Sequence, residues 1–157
     1  MSAMPAAARE RSRPLRALIS TVYVAMAVLM MAGAYGHGFL GRKVIDAELA
    51  RYPIDEGVYT MLYVVWYFVS GCMLLFGIAA IWAWLRARRG DPRAMFVVYL
   101  IAVLYVVSGV GGLIYRHGAA FHYVFIVQGA LLGLSGYALA RDDSAVSQGP
   151  ALPTSTE

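Results

Sequence analysis

Between Ala17 and Ala140 the chain holds four apolar runs, and no Asp, Glu, Lys or Arg lies inside any of them. Each is about 20 residues long or longer, the length a helix needs to cross a hydrocarbon core of roughly 30 Å. In hydrocarbon every backbone N–H and C=O must find its partner within the segment, so such runs become helices. The runs fall at about 17–36, 58–86, 94–116 and 120–140, and Arg86 and Arg116 only close two of them. The expected fold is therefore all-α and integral to a membrane, an antiparallel bundle of four transmembrane helices. Composition agrees: 61% of residues are hydrophobic and 14% charged, where a soluble domain is nearer half apolar and about a quarter charged. The formal charge of +4 does not point to nucleic acid, because the basic residues flank the apolar runs instead of sharing one soluble face.

The stretch Leu85-Arg86-Ala87-Arg88-Arg89-Gly90-Asp91-Pro92-Arg93 divides the runs into two hairpins. Gly90 and Pro92 stop a helix there. Lys and Arg set orientation. The tail 1–16 carries Arg9, Arg11, Arg13 and Arg16, the central turn carries four more, and Arg141 follows the last run. These nine of the thirteen basic residues share one side if there are four spans, and that side is expected to be cytoplasmic. The protein is then a multi-pass protein of the cell (inner) membrane with both termini inside. The tail 1–16 and the tail 141–157, rich in Ser, Asp, Gly, Pro and Thr, are expected to be unstructured. The basic start, the first run and Ala32-Gly33-Ala34 also have the outline of a cleaved secretory signal; the length of the run and the three spans after it favour a retained helix.

Residues 37–57 form the longest connection, an outer loop. Arg42–Asp46 and Glu48–Arg51 have the spacing of helical ion pairs, so a short helix lying on the membrane or over the bundle mouth is expected. Pro53 ends it, and Asp55 and Glu56 suit the start of the next helix.

Helices in lipid associate through close packing of small residues. Gly129, Gly133 and Gly136 make such a stripe on the fourth run, for packing within the chain or against a second copy. Gln128, the most polar residue within a run, is expected to donate a hydrogen bond to a neighbouring helix. In the first run Tyr23, Met26, Met30, Gly33 and His37 share an arc, and in the third Tyr105, Ser108, Gly112 and Tyr115 do. In the second run Tyr59, Tyr63, Trp66 and Tyr67 share one, which also holds Ser70 and Gly77. That face offers rings and hydroxyls to an apolar ligand such as a quinone or a lipid, although structural tyrosine is the simpler explanation.

Reaction chemistry is hard to find here. No carboxylate lies in a span, as proton-coupled carriers require. No acid is placed to orient a histidine for a Ser-His-Asp triad. The single cysteine, Cys72, cannot form a pair within the chain. Gly109-Val110-Gly111-Gly112 lacks the strand and Lys of a phosphate loop. His37, His122 and His117 all fall at the outer face, and grouped imidazoles there would bind zinc, copper or a haem iron. Ordinary interfacial hydrogen bonding of each histidine is the competing account.

His37-Gly38-Phe39-Leu40-Gly41 at the end of the first run, followed by a polar loop and Trp66-Tyr67 in the second, resembles a group of small bacterial four-span membrane proteins. Their first helix closes on His-x-x-Leu-Gly, and their second carries a Trp-His pair. Tyr67 stands here where the second histidine would be. The resemblance covers roughly residues 30–85 and implies the four-helix fold and no particular activity. The sequence thus leads to a non-enzymatic accessory or assembly subunit, with the bilayer, other membrane subunits or a second copy as partners. A binding protein or carrier for an apolar ligand, or for a histidine-held metal or haem at the outer face, is the alternative.

Overall fold

The computed structural model describes residues 6–115 and 121–147, and the side chains of 13–115 and 121–141. It is all-helical among these residues, and four helices are long and apolar enough to span a membrane. The elements are α1 (Ala6–Tyr35), a π-helical turn (Gly36–Gly41), α2 (Arg42–Leu49), α3 (Glu56–Arg88), a short 3₁₀ turn (Pro92–Ala94), α4 (Met95–Tyr115) and α5 (Phe121–Ser147).

Two boundaries differ from the sequence expectation. The first helix begins at Ala6, inside the tail 1–16, because Ala6–Ala8 and the Arg and Glu beyond them are good helix formers. The last helix runs on through Ser147 into the tail 141–157, since extending an existing helix is easier than starting one. The connection between the third and fourth runs, around Arg116, and the end of the C-terminal tail lie outside the described residues.

The short helix expected within 37–57 is present as α2, and it is joined to α1 instead of being set apart by a loop. The π turn joins α1 to α2, so helical backbone continues from Ala6 to Leu49. Arg42–Asp46 at 3.5 Å and Arg51–Glu48 at 3.1 Å are both paired. Backbone N–H groups of Ala50, Arg51 and Tyr52 close α2 on the carbonyls of Asp46, Glu48 and Leu49. Asp55 then caps α3, its Oδ1 accepting from the Gly57 N–H at 2.8 Å. At the other hinge, Gly90 takes φ +91°, which an L side chain adopts with difficulty, and Arg86 reaches across the turn to Asp91 at 2.8 Å.

The helices pair as two hairpins, α1 with α3 and α4 with α5, and α2 reaches α3 only through side chains. In the first, Gly77 allows contact so close that a Cβ there would lie 2.7 Å from the Ala27 carbonyl oxygen. In the second, a Cβ on Gly129 would lie 2.8 Å from the Ala102 carbonyl oxygen, and one on Gly133 3.0 Å from the Ala102 Cβ. Gly136 faces Tyr23 of α1 and Val98 of α4. The contacts of the glycine stripe are therefore made within the chain. The hairpins meet through α1 and α5, where the Gln128 side-chain amide donates to the Met26 carbonyl at 3.1 Å, and through Phe76 and Tyr105. Tyr23, Met30, Met95, Val98 and Leu132 are the largest side chains fully enclosed. Since α1 supplies Tyr23, Ala27 and Met30, its removal would open the core.

On the third span the sequence arc is wrong. Tyr105 is buried, but Ser108 is exposed and Tyr115 is 91% exposed. The face turned inward runs Met95, Val98, Ala102, Tyr105, Gly109. Elsewhere the surface of the bundle is apolar, with Val64, Phe68, Leu75, Leu100 and Leu134 all exposed. Such a surface suits hydrocarbon rather than water.

Gly129→Leu should destabilise the fold by about 2 kcal/mol or more, because backbone occupies the space a side chain needs. Gly71→Leu, whose Cβ would meet nothing within 4 Å, should leave thermal unfolding in detergent unchanged.

Candidate functional site

The central turn ties the inner ends of α3 and α4 together, but α3 has 33 residues and α4 has 21. At 1.5 Å per residue α3 is longer by roughly 18 Å. The excess projects at the end of the bundle opposite the hinge at Gly90, and α2 accompanies it. This distal end carries the chemistry.

Its base is the π turn, whose sequence Gly36-His37-Gly38-Phe39-Leu40-Gly41 is half glycine. Wide turns of this kind mark functional positions in many helices. Two of the glycines let α3 approach. A Cβ on Gly38 would lie 3.3 Å from Ser70 Oγ, and one on Gly41 2.7 Å from Trp66 Cζ2. The imidazole of His37 stacks on the indole of Trp66, with centroids 3.7 Å apart and planes 16° from parallel. The indole N–H donates to the His37 carbonyl at 2.8 Å. His37 Nδ1 is 2.9 Å from Ser70 Oγ, which also reaches the Trp66 carbonyl at 3.0 Å. The His37 ring is thus held between the Trp66 indole and the Ser70 hydroxyl, and each of those is also bonded to a main-chain carbonyl.

One turn further out stands Arg42. It donates to the Tyr67 hydroxyl at 2.8 Å, and its guanidinium lies 5.1 Å from the centre of the Tyr63 ring. The Tyr63 hydroxyl donates to that of Tyr59 at 2.9 Å, and Tyr59 reaches Asp46 at 3.4 Å. The three tyrosines singled out in the sequence, Tyr59, Tyr63 and Tyr67, therefore belong to one network with Arg42 and Asp46 of α2, while Trp66 belongs to the neighbouring cluster with His37 and Ser70. Beside it is a cleft of about 300 Å³ between α2 and α3. Ile45, Leu49 and Leu62 give it apolar walls, Tyr63 and Trp66 give it ring faces, and Arg42 and Glu48 supply opposite charges at its rim.

The two described histidines, His37 and His122, stand in different helix pairs. His37 belongs to the α1–α3 pair. His122 lies in the α4–α5 pair against Gly112, where a Cβ would overlap its ring, and it is tilted on Phe121. Its Nε2 is enclosed without a hydrogen-bond partner. His117 lies outside the described residues. Among the described residues no three His, Cys, Asp or Glu side chains come together as a metal centre would need. The helical-wheel argument put His37 and His122 on inward faces, but each inward face meets a different neighbour.

Arg42 and Ser70 are the two site residues whose role the sequence did not disclose. The signal for both was available in Gly38 and Gly41, one turn apart, which leave room for side chains of α3.

Comparison with protein-family models, with curated proteins and with solved structures finds no match for this chain.

Trp66→Phe keeps a ring but removes the N–H donated to His37. It should destabilise the protein by about 1–2 kcal/mol. Trp82→Phe, at a side chain 52% exposed, should cost less than about 0.5 kcal/mol. Thermal unfolding of both variants in the same detergent checks the difference.

Proposed function

We propose that this chain is a non-enzymatic, multi-pass protein of the cell membrane, an accessory or assembly subunit whose distal end holds an apolar ligand with a hydrogen-bonding head. Quinones and lipids are the ligand classes. The observation that carries this reading is the cleft in which Arg42, Tyr63 and Trp66 converge above the apolar walls of Ile45, Leu49 and Leu62. Ligand sites are commonly apolar hollows with a few placed polar groups. A quinone carbonyl or an ester oxygen accepts from the Arg42 guanidinium, the ring or chain lies on Tyr63 and Trp66, and the tail leaves along α3 toward hydrocarbon.

Membrane depth supports the same reading. Trp66 is sixteen residues from Trp82 on α3, about 24 Å along a helix. Trp and Tyr collect at the two interfaces of a bilayer. With Trp82 and Trp84 at one interface, Trp66 and the tyrosines beyond it occupy the other. The positive-inside distribution supports an orientation with the hinge and the termini in the cytoplasm and the cleft outside.

Protein purified in mild detergent is expected to carry quinone or phospholipid detectable by mass spectrometry. A short-chain quinone titrated into it should quench tryptophan fluorescence, and Trp66→Phe should remove most of that response although Trp82 and Trp84 remain. Arg42→Gln should weaken the apparent affinity about tenfold, the value of one charge-assisted hydrogen bond. Preparations free of both molecules, with quenching indifferent to Arg42 and Trp66, would rule the reading out.

A further inference from the structure

The cleft between α2 and α3 holds charges of both signs at its rim, Arg42 and Glu48, and its remaining lining is apolar or aromatic. A quinone carbonyl or an ester oxygen answers the cation and leaves the carboxylate without a use. An anionic headgroup answers the cation and is repelled by the carboxylate. A headgroup that carries a negative and a positive charge a short distance apart answers both.

Both rim residues have partners within the protein and keep capacity for another. Arg42 Nη1 donates to the Tyr67 hydroxyl at 2.8 Å, and Nε lies 3.5 Å from Asp46. A guanidinium has about five N–H groups in a fixed fork, so these two contacts do not use up its donors. Glu48 meets Arg51 at 3.1 Å through Oε2, between side chains 56% and 70% exposed. An exposed ion pair of this kind is worth little, and a carboxylate has two oxygens to offer. Arg42 and Glu48 are six residues apart on α2, about 9 Å along a helix. Two long side chains, each ending in a hydrogen bond of about 2.8 Å, leave between them room for a phosphate joined to an amine through two carbons.

The aromatic residues decide which kind of cation fits. A quaternary ammonium is held by open ring faces. Here the Arg42 guanidinium already lies 5.1 Å from the centre of the Tyr63 ring, and His37 is stacked on Trp66 at 3.7 Å. One face of each ring is therefore taken, and no aromatic box is left for a methylated cation. A primary ammonium instead has N–H groups to donate, and Glu48 accepts them.

We infer that the cleft selects a phospholipid whose phosphate is followed by a primary amine, the headgroup chemistry of phosphatidylethanolamine. Arg42 binds the phosphate, Glu48 binds the ammonium, and the acyl chains lie on Ile45, Leu49 and Leu62. This inference rests on the reading of the cleft as a ligand site and narrows it to one class of lipid.

The test uses full-length protein in nanodiscs made from equal parts of phosphatidylethanolamine, phosphatidylcholine and phosphatidylglycerol, read by native mass spectrometry of the retained lipid. Wild type should retain phosphatidylethanolamine over each of the other two by about fivefold. Glu48→Gln should reduce that preference to within about twofold. Arg51→Gln breaks the same ion pair but leaves the carboxylate, and should keep the wild-type preference. It thus separates recognition by Glu48 from any effect of the pair on α2. Arg42→Gln should lower retention of all three phospholipids. The inference is overturned if phosphatidylethanolamine is not preferred over both competitors. It is overturned equally if Glu48→Gln keeps the preference, or if Arg51→Gln loses it as fully as Glu48→Gln does. Quinone quenching that persists beside any of these results leaves the ligand reading standing and removes only the choice of lipid. A protein that retains neither quinone nor phospholipid removes both.

Discussion

Three hydrogen bonds that join separate helices of this protein end on main-chain carbonyls. Tyr23 of α1 donates to Ala80 of α3, Gln128 of α5 to Met26 of α1, and Trp66 of α3 to His37 in the π turn. All three have α1 or its continuation at one end. Between apolar helices there is no hydrophobic drive toward a particular partner, because lipid tails are as apolar as Leu. Close packing and such bonds must then set the register. Tyr23 shows how firmly they do so: it is fully enclosed, bonded to α3, and at the same time in contact with Gly136 of α5. The first helix is thereby the element to which both hairpins are fitted.

The register fixed in the core is carried outward. Tyr23 faces Ala80, Ala27 faces Gly77, Gly33 faces Met73, Gly38 faces Ser70 and Asp46 faces Tyr59. Helical backbone on both sides keeps this antiparallel pairing in step beyond the end of α4. The distal cluster owes its shape to that continuity. Arg42 reaches Tyr63 and Tyr67 only because α2 continues α1 through the π turn. The three glycines of that turn would be poor choices for a free-standing helix. Gly41 is useful where the Trp66 indole must come within contact distance of backbone, and Gly38 where Ser70 does.

Much of the architecture was legible from the sequence because hydrocarbon imposes helices on uncharged runs. The spans expected at 58–86 and 94–116 lie within a residue or two of α3 and α4, and the cap at Asp55 was visible from its place before Glu56. Gln128 was identifiable as an interhelical donor because a lone amide in an apolar run has few other uses. Two things were not legible. The ion-pair spacing within 37–57 announced a short helix, but not its unbroken junction with α1, because Gly36, Gly38 and Gly41 read as a break in a helix. The inward face of the third span was also misplaced. Tyr115 and Ser108 look like interior residues when lipid is the solvent and polarity is the guide. What selects the true face is fit: Gly109 admits the backbone of His122 and Ile126, and Ala102 fits under Gly129 and Gly133. Of the site, the tyrosine and tryptophan face was apparent. Its union with Arg42 and His37 required the antiparallel register.

The account depends most on helical continuity from α1 through α2, since the half of the distal cluster that faces α3 has no other scaffold. Hydrogen–deuterium exchange of the backbone amides of residues 36–49, with the protein in nanodiscs, measures it directly. The account predicts amides at 38–47 that exchange orders of magnitude more slowly than an unstructured chain, with protection reduced when Trp66 is replaced. Exchange across 36–49 at the rate of a free loop, with α1 and α3 still protected, would contradict it.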